Sequence, residues 1–189
     1  MSTNLEIEAK ATLSKLEYDK LIANFKSNKI YEQVNYYLDT KSFEIRNKKC
    51  GLRIRTKQGE NELTIKAPKG DGKLEINQQI SNISLQNLLE KDLFPNGEVS
   101  EFITKELSIK TSDLKVLGKL VTYRLDIEYK SSLISIDKSL YNGIEDYEIE
   151  CEDESLINAQ TNLKEFLKKY QIPYHENKRS KLGRFLESL

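Results

Sequence analysis

The clearest pattern in the chain is strict alternation of apolar and charged residues over short stretches. Successive side chains of a strand point to opposite faces. In Leu5-Glu6-Ile7-Glu8-Ala9-Lys10, Glu6, Glu8 and Lys10 therefore share one face, and Leu5, Ile7 and Ala9 the other. The same period returns in Tyr147-Glu148-Ile149-Glu150-Cys151-Glu152. Between the two lie stretches that alternate with basic or mixed residues. Arg53 and Arg55 alternate with Leu52 and Ile54, Thr64 and Lys66 flank Ile65, and Arg124, Asp126 and Glu128 alternate with Tyr123, Leu125 and Ile127. Ser135 and Asp137 alternate with Ile134 and Ile136. Strands are also expected over 32–40 and 74–80, with hairpin turns at Gln58-Gly59-Glu60-Asn61 and Gly70-Asp71-Gly72.

The period changes to that of a helix in four places. Residues 14–29 read as a helix with Ser14 as N-cap, Glu17 three residues on, and a Leu21, Ile22 and Phe25 stripe. Residues 84–110 read as helical, with Leu85, Leu88, Leu89 and Leu93 on one face, a break at Pro95-Asn96-Gly97, and a second short helix carrying Phe102, Ile103 and Leu107. Residues 155–170 carry the stripe Leu156, Ala159, Leu163, Phe166 and Leu167. A last short helix is expected over 177–189, bearing Lys178, Arg179, Lys181 and Arg184. No internal repeat or linker stands out, so a single domain over 1–189 is expected.

Composition narrows the function classes. The chain has 189 residues, 38% hydrophobic and 32% charged, and its 30 basic residues balance its 30 acidic ones. A net charge of zero argues against a general nucleic-acid binder, which carries a basic excess. No run approaches the roughly 18 apolar residues of a membrane span. The N-terminus has no basic segment followed by an apolar run, so no signal peptide is expected. Cys50 and Cys151 fit no metal or redox spacing, and a reducing cytoplasm is the expected location. His175 is the only histidine, which argues against a His-centred triad.

The alternation itself is the functional clue. About eight such strands can close into an antiparallel barrel with the apolar faces outward under the helices and the charged faces inward. Carboxylates are hard ligands suited to Mg²⁺ or Mn²⁺. Arg and Lys grip phosphate through charge-assisted hydrogen bonds. Together they provide for phosphoryl transfer.

The order of these motifs resembles a known family. Glu6-Ile7-Glu8-Ala9-Lys10 is similar to the Glu-x-Glu-x-Lys signature of the CYTH domain, the triphosphate tunnel metalloenzyme superfamily. Tyr37-x-Asp39-Thr40, Leu52-Arg53-Ile54-Arg55 and Thr64-Ile65-Lys66 resemble its next motifs. Arg124, Asp137, Gly143 to Glu150, and Ser180-Lys181-Leu182-Gly183-Arg184 resemble the rest. The nearest resemblance is to the short single-domain CYTH proteins of low-GC Gram-positive bacteria.

The resemblance implies an α+β fold, an eight-stranded antiparallel tunnel with helices outside and a triphosphate within. Glu6, Glu8, Glu148 and Glu150 would bind Mg²⁺ or Mn²⁺. Lys10, Arg53, Arg55, Lys66, Arg124, Lys181 and Arg184 would hold the phosphates, with Glu148 and Lys10 as catalytic residues. Asp39 and Asp137 would orient the cations, and Glu152 extends the acidic face. The implied activity is metal-dependent hydrolysis of a small-molecule triphosphate. The alternatives are an adenylate cyclase of class IV type and a non-catalytic polyphosphate or nucleotide binder. No nucleic-acid or membrane partner is implied, and monomer and homodimer stay open.

Overall fold

A computed structural model describes residues 2–189. Its strands are β1 (Ser2–Glu6), β2 (Glu8–Thr12), β3 (Tyr31–Asp39), β4 (Gly51–Lys57), β5 (Glu60–Lys69), β6 (Gly72–Ile80), β7 (Lys115–Tyr129), β8 (Ser132–Tyr141) and β9 (Ile144–Glu152). Its helices are α1 (Lys15–Asn24), α2 (Glu44–Asn47), α3 (Asn82–Lys91), α4 (Glu98–Lys105), α5 (Leu156–Lys169) and α6 (Lys181–Glu187). The expected α+β class and the antiparallel pairing are met, with nine strands among the described residues where eight were expected.

The chain forms two compact units. The first comprises the N-terminal stretch through Glu6 and Gln33–Leu120. Here the strand order is β1-β6-β5-β4-β3. Lys57 pairs with Glu60 across a two-residue loop in which Gln58 and Gly59 both have positive φ, 53° and 85°. That backbone matches the twist of the flanking strands and accounts for the Gly at this turn. The apolar faces of β4 and β5 supply Leu52, Ile54, Leu63 and Ile65, which pack with Leu88 of α3 and Val99 and Ile103 of α4 in one core. Residues 84–110 hold two helices, as the sequence predicted: α3 ends at Lys91, with Leu93 beyond it exposed, and α4 carries Phe102 and Ile103. The four-residue α2 was not anticipated.

The second unit comprises Ile7–Glu32 and Val121–Leu189, with strand order β7-β8-β9-β2. Ser14 caps α1 in a reciprocal capping box with Glu17, as the sequence predicted. The helix stops at Asn24, five residues short of the expected end. Ala9, Ala11, Leu125, Ile134, Ile136, Ile149 and Cys151 form the apolar strand face, packed on Leu21, Leu163, Phe166 and Leu167. Phe166 stacks on Phe25 and meets Tyr129 and Tyr170 edgewise or tilted, at centroid distances of 6.0, 5.2 and 5.0 Å. The last helix, α6, begins at Lys181, so Lys178 and Arg179 precede it.

The single first strand expected over 5–10 is two strands. It is interrupted at Ile7, which separates β1 from β2. Register accounts for the break: β1 pairs with β6 and β2 with β9, so the two halves follow different neighbours. Among the described residues no helix is long and apolar enough to cross a membrane.

Truncating Phe166 removes the centre of an aromatic cluster and leaves a cavity. Phe166→Ala is expected to cost about 3–5 kcal/mol of unfolding free energy. Urea denaturation checks this, and a loss below about 1 kcal/mol would show that the core re-collapses.

Candidate active site

In the second unit the polar strand faces converge through register. Residues directly opposite in an antiparallel pair share a face. Asp137 on β8 lies opposite Glu148 on β9 and Arg124 on β7, while Glu150 lies opposite Ser135 on β8 and Lys10 on β2. One carboxylate oxygen each from Asp137, Glu148 and Glu150 lies within 4.8 Å of the other two. Asp137 and Glu148 are 0% and 1% exposed.

Cations hold this group together. Arg124 forks onto Asp137, with Nε donating to Oδ1 at 2.7 Å and Nη2 to Oδ2 at 2.6 Å, and Nη2 also reaches Glu150 Oε2 at 2.5 Å. Lys10 Nζ bridges Glu8 at 2.8 Å and Glu150 at 3.2 Å. Arg184 donates from Nε to Asp146 at 2.5 Å and from Nη2 to Glu148 Oε2 at 2.6 Å. Asn177 adds a donor to the same Oε2 at 2.8 Å. Lys181, the first residue of α6, reaches Asp137 Oδ2 at 2.6 Å and Glu150 Oε1 at 2.9 Å and pairs with Glu148 Oε1. Beyond that ion pair, Glu148 Oε1 has no hydrogen-bond partner.

The electrostatics separate the three acids. Burial pushes each carboxyl up, and the cations pull it down. At Asp137 the burial is outweighed by Arg124 and Lys181, and the carboxyl falls below its ordinary value. At Glu150 it is outweighed by Lys181, Lys10 and Arg124, and the carboxyl falls well below. At Glu148 burial wins, reinforced by Glu150, and the carboxyl is raised. Burial alone would lower the Lys10 ammonium, but Glu150, Glu8 and Glu148 raise it overall.

The first unit also has a polar strand face. Lys66 Nζ donates to Glu6 Oε1 and Oε2 at 2.7 and 2.6 Å and pairs with Glu75, its register partner on β6. Arg55 Nε donates to Asn35 at 3.0 Å. Thr64 donates to Asn77 at 2.7 Å beneath them. Nε of Arg53 is buried with no hydrogen-bond partner among the described residues. A buried guanidinium N–H without an acceptor is costly and fits an anionic ligand.

Asp137 accepts from Arg124 and Lys181 and joins Glu148 and Glu150 in the three-carboxylate cluster. Glu6 and Glu8 are absent from that cluster, since each is held by a lysine, Lys66 and Lys10 respectively. Asp39 was expected to orient cations. Its carboxylate instead accepts from the backbone amides of Thr40, Ile45 and Arg46, capping α2. Glu152 is exposed at the end of β9. His175 is exposed in a loop, and its carbonyl accepts from Thr12 N. Cys50 and Cys151 are buried free thiols.

Three further residues escaped the sequence reading. Glu75 carried a signal, because Leu74-Glu75-Ile76-Asn77 alternates like its neighbours. Asp146 carried the same signal, two residues before Glu148 on one strand face, whereas Asn177 carried none, since its role comes from the segment before α6.

The donor set fits a hard divalent cation: three carboxylates, no sulfur or imidazole, and a polar wall. It does not fit one with Lys181 left in place. A divalent ion about 4 Å from a retained ammonium meets a repulsion of about 8 kcal/mol at an effective dielectric of about 20.

The site is thus a carboxylate cluster walled by lysine and arginine. The model of the CYTH domain matches residues 4–185, and this chain belongs to the CYTH family. The Bacillus subtilis (strain 168) protein YjbK, named a candidate triphosphatase, is 36% identical over 189 residues, 99% of this chain and 97% of its own length. A solved structure of a candidate adenylate cyclase from Bacillus halodurans is also 36% identical, with a TM-score of 0.90 over 98% of this chain and 99% of that one. The Hippeastrum protein HpAC1 shares the fold at 23% identity, with a TM-score of 0.83 and coverage of 96% and 95%.

The acid limb of stability follows from these shifts. Asp137 ionises below its ordinary value of 3.8 in the fold. Its contribution is fully present above that pH and is lost as pH falls through the lowered folded value. Glu148 has the opposite sign, because ionising it costs stability as pH rises through its raised value. Asp137→Asn strands Arg124 and Lys181 and is expected to cost about 3–5 kcal/mol near neutral pH. The loss should shrink as pH falls below 3.8. Melting temperature against pH checks both, and a pH-independent difference would contradict the lowered value.

Proposed function

We propose that this chain hydrolyses the terminal phosphoanhydride of a triphosphate, inorganic tripolyphosphate or a small organic one, with Mg²⁺ or Mn²⁺. The carrying observation is the Asp137, Glu148 and Glu150 cluster enclosed by Lys10, Arg124, Lys181 and Arg184. Membership of the CYTH family and the triphosphatase name of the similar YjbK support it.

In this reading Glu148 and Glu150, with Glu6 and Glu8, are the metal-binding glutamates, and Asp137 joins them. Lys10, Arg53, Arg55, Lys66, Arg124, Lys181 and Arg184 hold non-bridging phosphate oxygens. The unpartnered Nε of Arg53 supports its place in that set. A bound divalent ion would supply charge neutralisation on the phosphate oxygens. Water attacks the terminal phosphorus, an O–P bond forms, and the anhydride P–O bond breaks, releasing orthophosphate. Glu148 takes the proton from the water. Lys10 and the guanidinium groups neutralise the charge that develops on the phosphoryl group. Two buried free thiols favour a reducing, cytoplasmic setting. The substrate is a small molecule, and the whole chain acts as one domain.

A cyclase reading has one supporting observation, the name carried by the similar Bacillus halodurans structure. There the ribose 3′-hydroxyl replaces water as the nucleophile.

Purified protein with Mg²⁺ or Mn²⁺ is expected to release phosphate from tripolyphosphate faster than from ATP or thiamine triphosphate. Cyclic AMP and pyrophosphate from ATP would establish the cyclase instead. Glu150→Gln and Lys66→Ala should each lower kcat by about 100-fold or more with the fold retained. Wild-type turnover in both would remove the site assignment.

A further inference from the structure

Lys181 occupies the middle of the carboxylate cluster. Its ammonium has three N–H donors and three carboxylate neighbours: Asp137, Glu148 and Glu150. These are the same three residues whose oxygens converge within 4.8 Å. An ammonium and a small hard cation make the same demand, a shell of carboxylate oxygens. They cannot occupy that shell together.

The surroundings decide where a displaced ammonium can go. Arg124 already occupies Asp137 and Glu150, Lys10 occupies Glu8 and Glu150, and Arg184 occupies Asp146 and Glu148. No carboxylate of this group is left for Lys181 once a metal takes its three partners. An anion that arrives with the metal provides a new one. Lys181 is also well placed to move, because it is the first residue of α6 and its backbone is set by the Ser180 cap, whose Oγ accepts from Gly183 N at 3.0 Å. The side chain can swing without unwinding the helix.

We propose that Lys181 is a placeholder cation: it fills the three-carboxylate site in the metal-free protein and transfers to the triphosphate when a divalent ion enters. Metal and triphosphate then bind with positive coupling, because each removes the obstacle to the other. Coupling is reciprocal, so the triphosphate tightens metal binding by the same factor that the metal tightens triphosphate binding. This rests on the reading of the cluster as the metal site, and the test separates the two.

The measurement is Mn²⁺ binding by electron paramagnetic resonance, with and without the methylene-bridged analogue of tripolyphosphate. Wild type should bind Mn²⁺ weakly alone and about tenfold or more tightly with the analogue. Lys181→Met should bind Mn²⁺ alone about tenfold more tightly than wild type, with the coupling reduced towards one. Equal or weaker Mn²⁺ binding by a folded Lys181→Met protein overturns the proposal. Removing a buried cation is a risk to folding, so wild type carries a second test. Acetylation of Lys181, followed by mass spectrometry and normalised to exposed Lys178, should be slow without metal, rise with Mn²⁺ alone, and fall again with Mn²⁺ plus analogue. Unchanged acetylation at saturating Mn²⁺ overturns the placeholder role. Glu150→Gln separates the readings. If it binds Mn²⁺ like wild type, the metal-site reading and this proposal both fall. If it loses Mn²⁺ while the two Lys181 tests show no effect, only the placeholder role falls.

Discussion

Opposite charges that cannot reach water must satisfy one another, and the second unit depends on that constraint. Asp137, Glu148, Glu150, Glu8 and Asp146 share Lys10, Arg124, Lys181 and Arg184. Such a network is poor at stabilising a fold, because desolvating each ion costs several kcal/mol before any pair forms. An apolar face of the same strands would be cheaper. The charge types of the network, carboxylates beside lysine and arginine, suit a hard cation and a polyanion.

The apolar faces make that cost bearable. In each unit the alternate residues of the same strands pack under helices, with Ile134, Ile136 and Ile149 against α5 in one and Ile54, Leu63 and Ile65 against α3 and α4 in the other. Moving any strand by one residue would exchange the two faces. Core packing therefore locks the register that aligns Asp137 with Glu148 and Arg124. The chemistry and the core are two faces of one pairing scheme.

Charge also divides labour within the cluster. Three acids a few ångströms apart differ in behaviour because their cations are unequally shared. Glu150 meets Lys181, Lys10 and Arg124 and stays ionised, whereas burial dominates at Glu148 and raises it. A raised carboxyl beside a lowered one is the arrangement that lets one group move a proton while the other holds charge. The same imbalance makes Lys181 the most contested cation of the group, shared by three acids at once.

The sequence by itself determined which residues face each way. A period of two needs only local stereochemistry, so the polar and apolar sets of nearly every strand were legible, as was the cap at Ser14. The ordered motifs also carried the family. Tertiary structure alone decided who meets whom. The break at Ile7 follows from β1 and β2 having different neighbours, and Asp39 turns to the amides of α2, a helix too short to leave a periodic signal. Lys181 meets an acid 44 residues away and Arg184 one 36 residues away. Such contacts depend on where a helix docks against a sheet, and no local pattern in the chain encodes that distance.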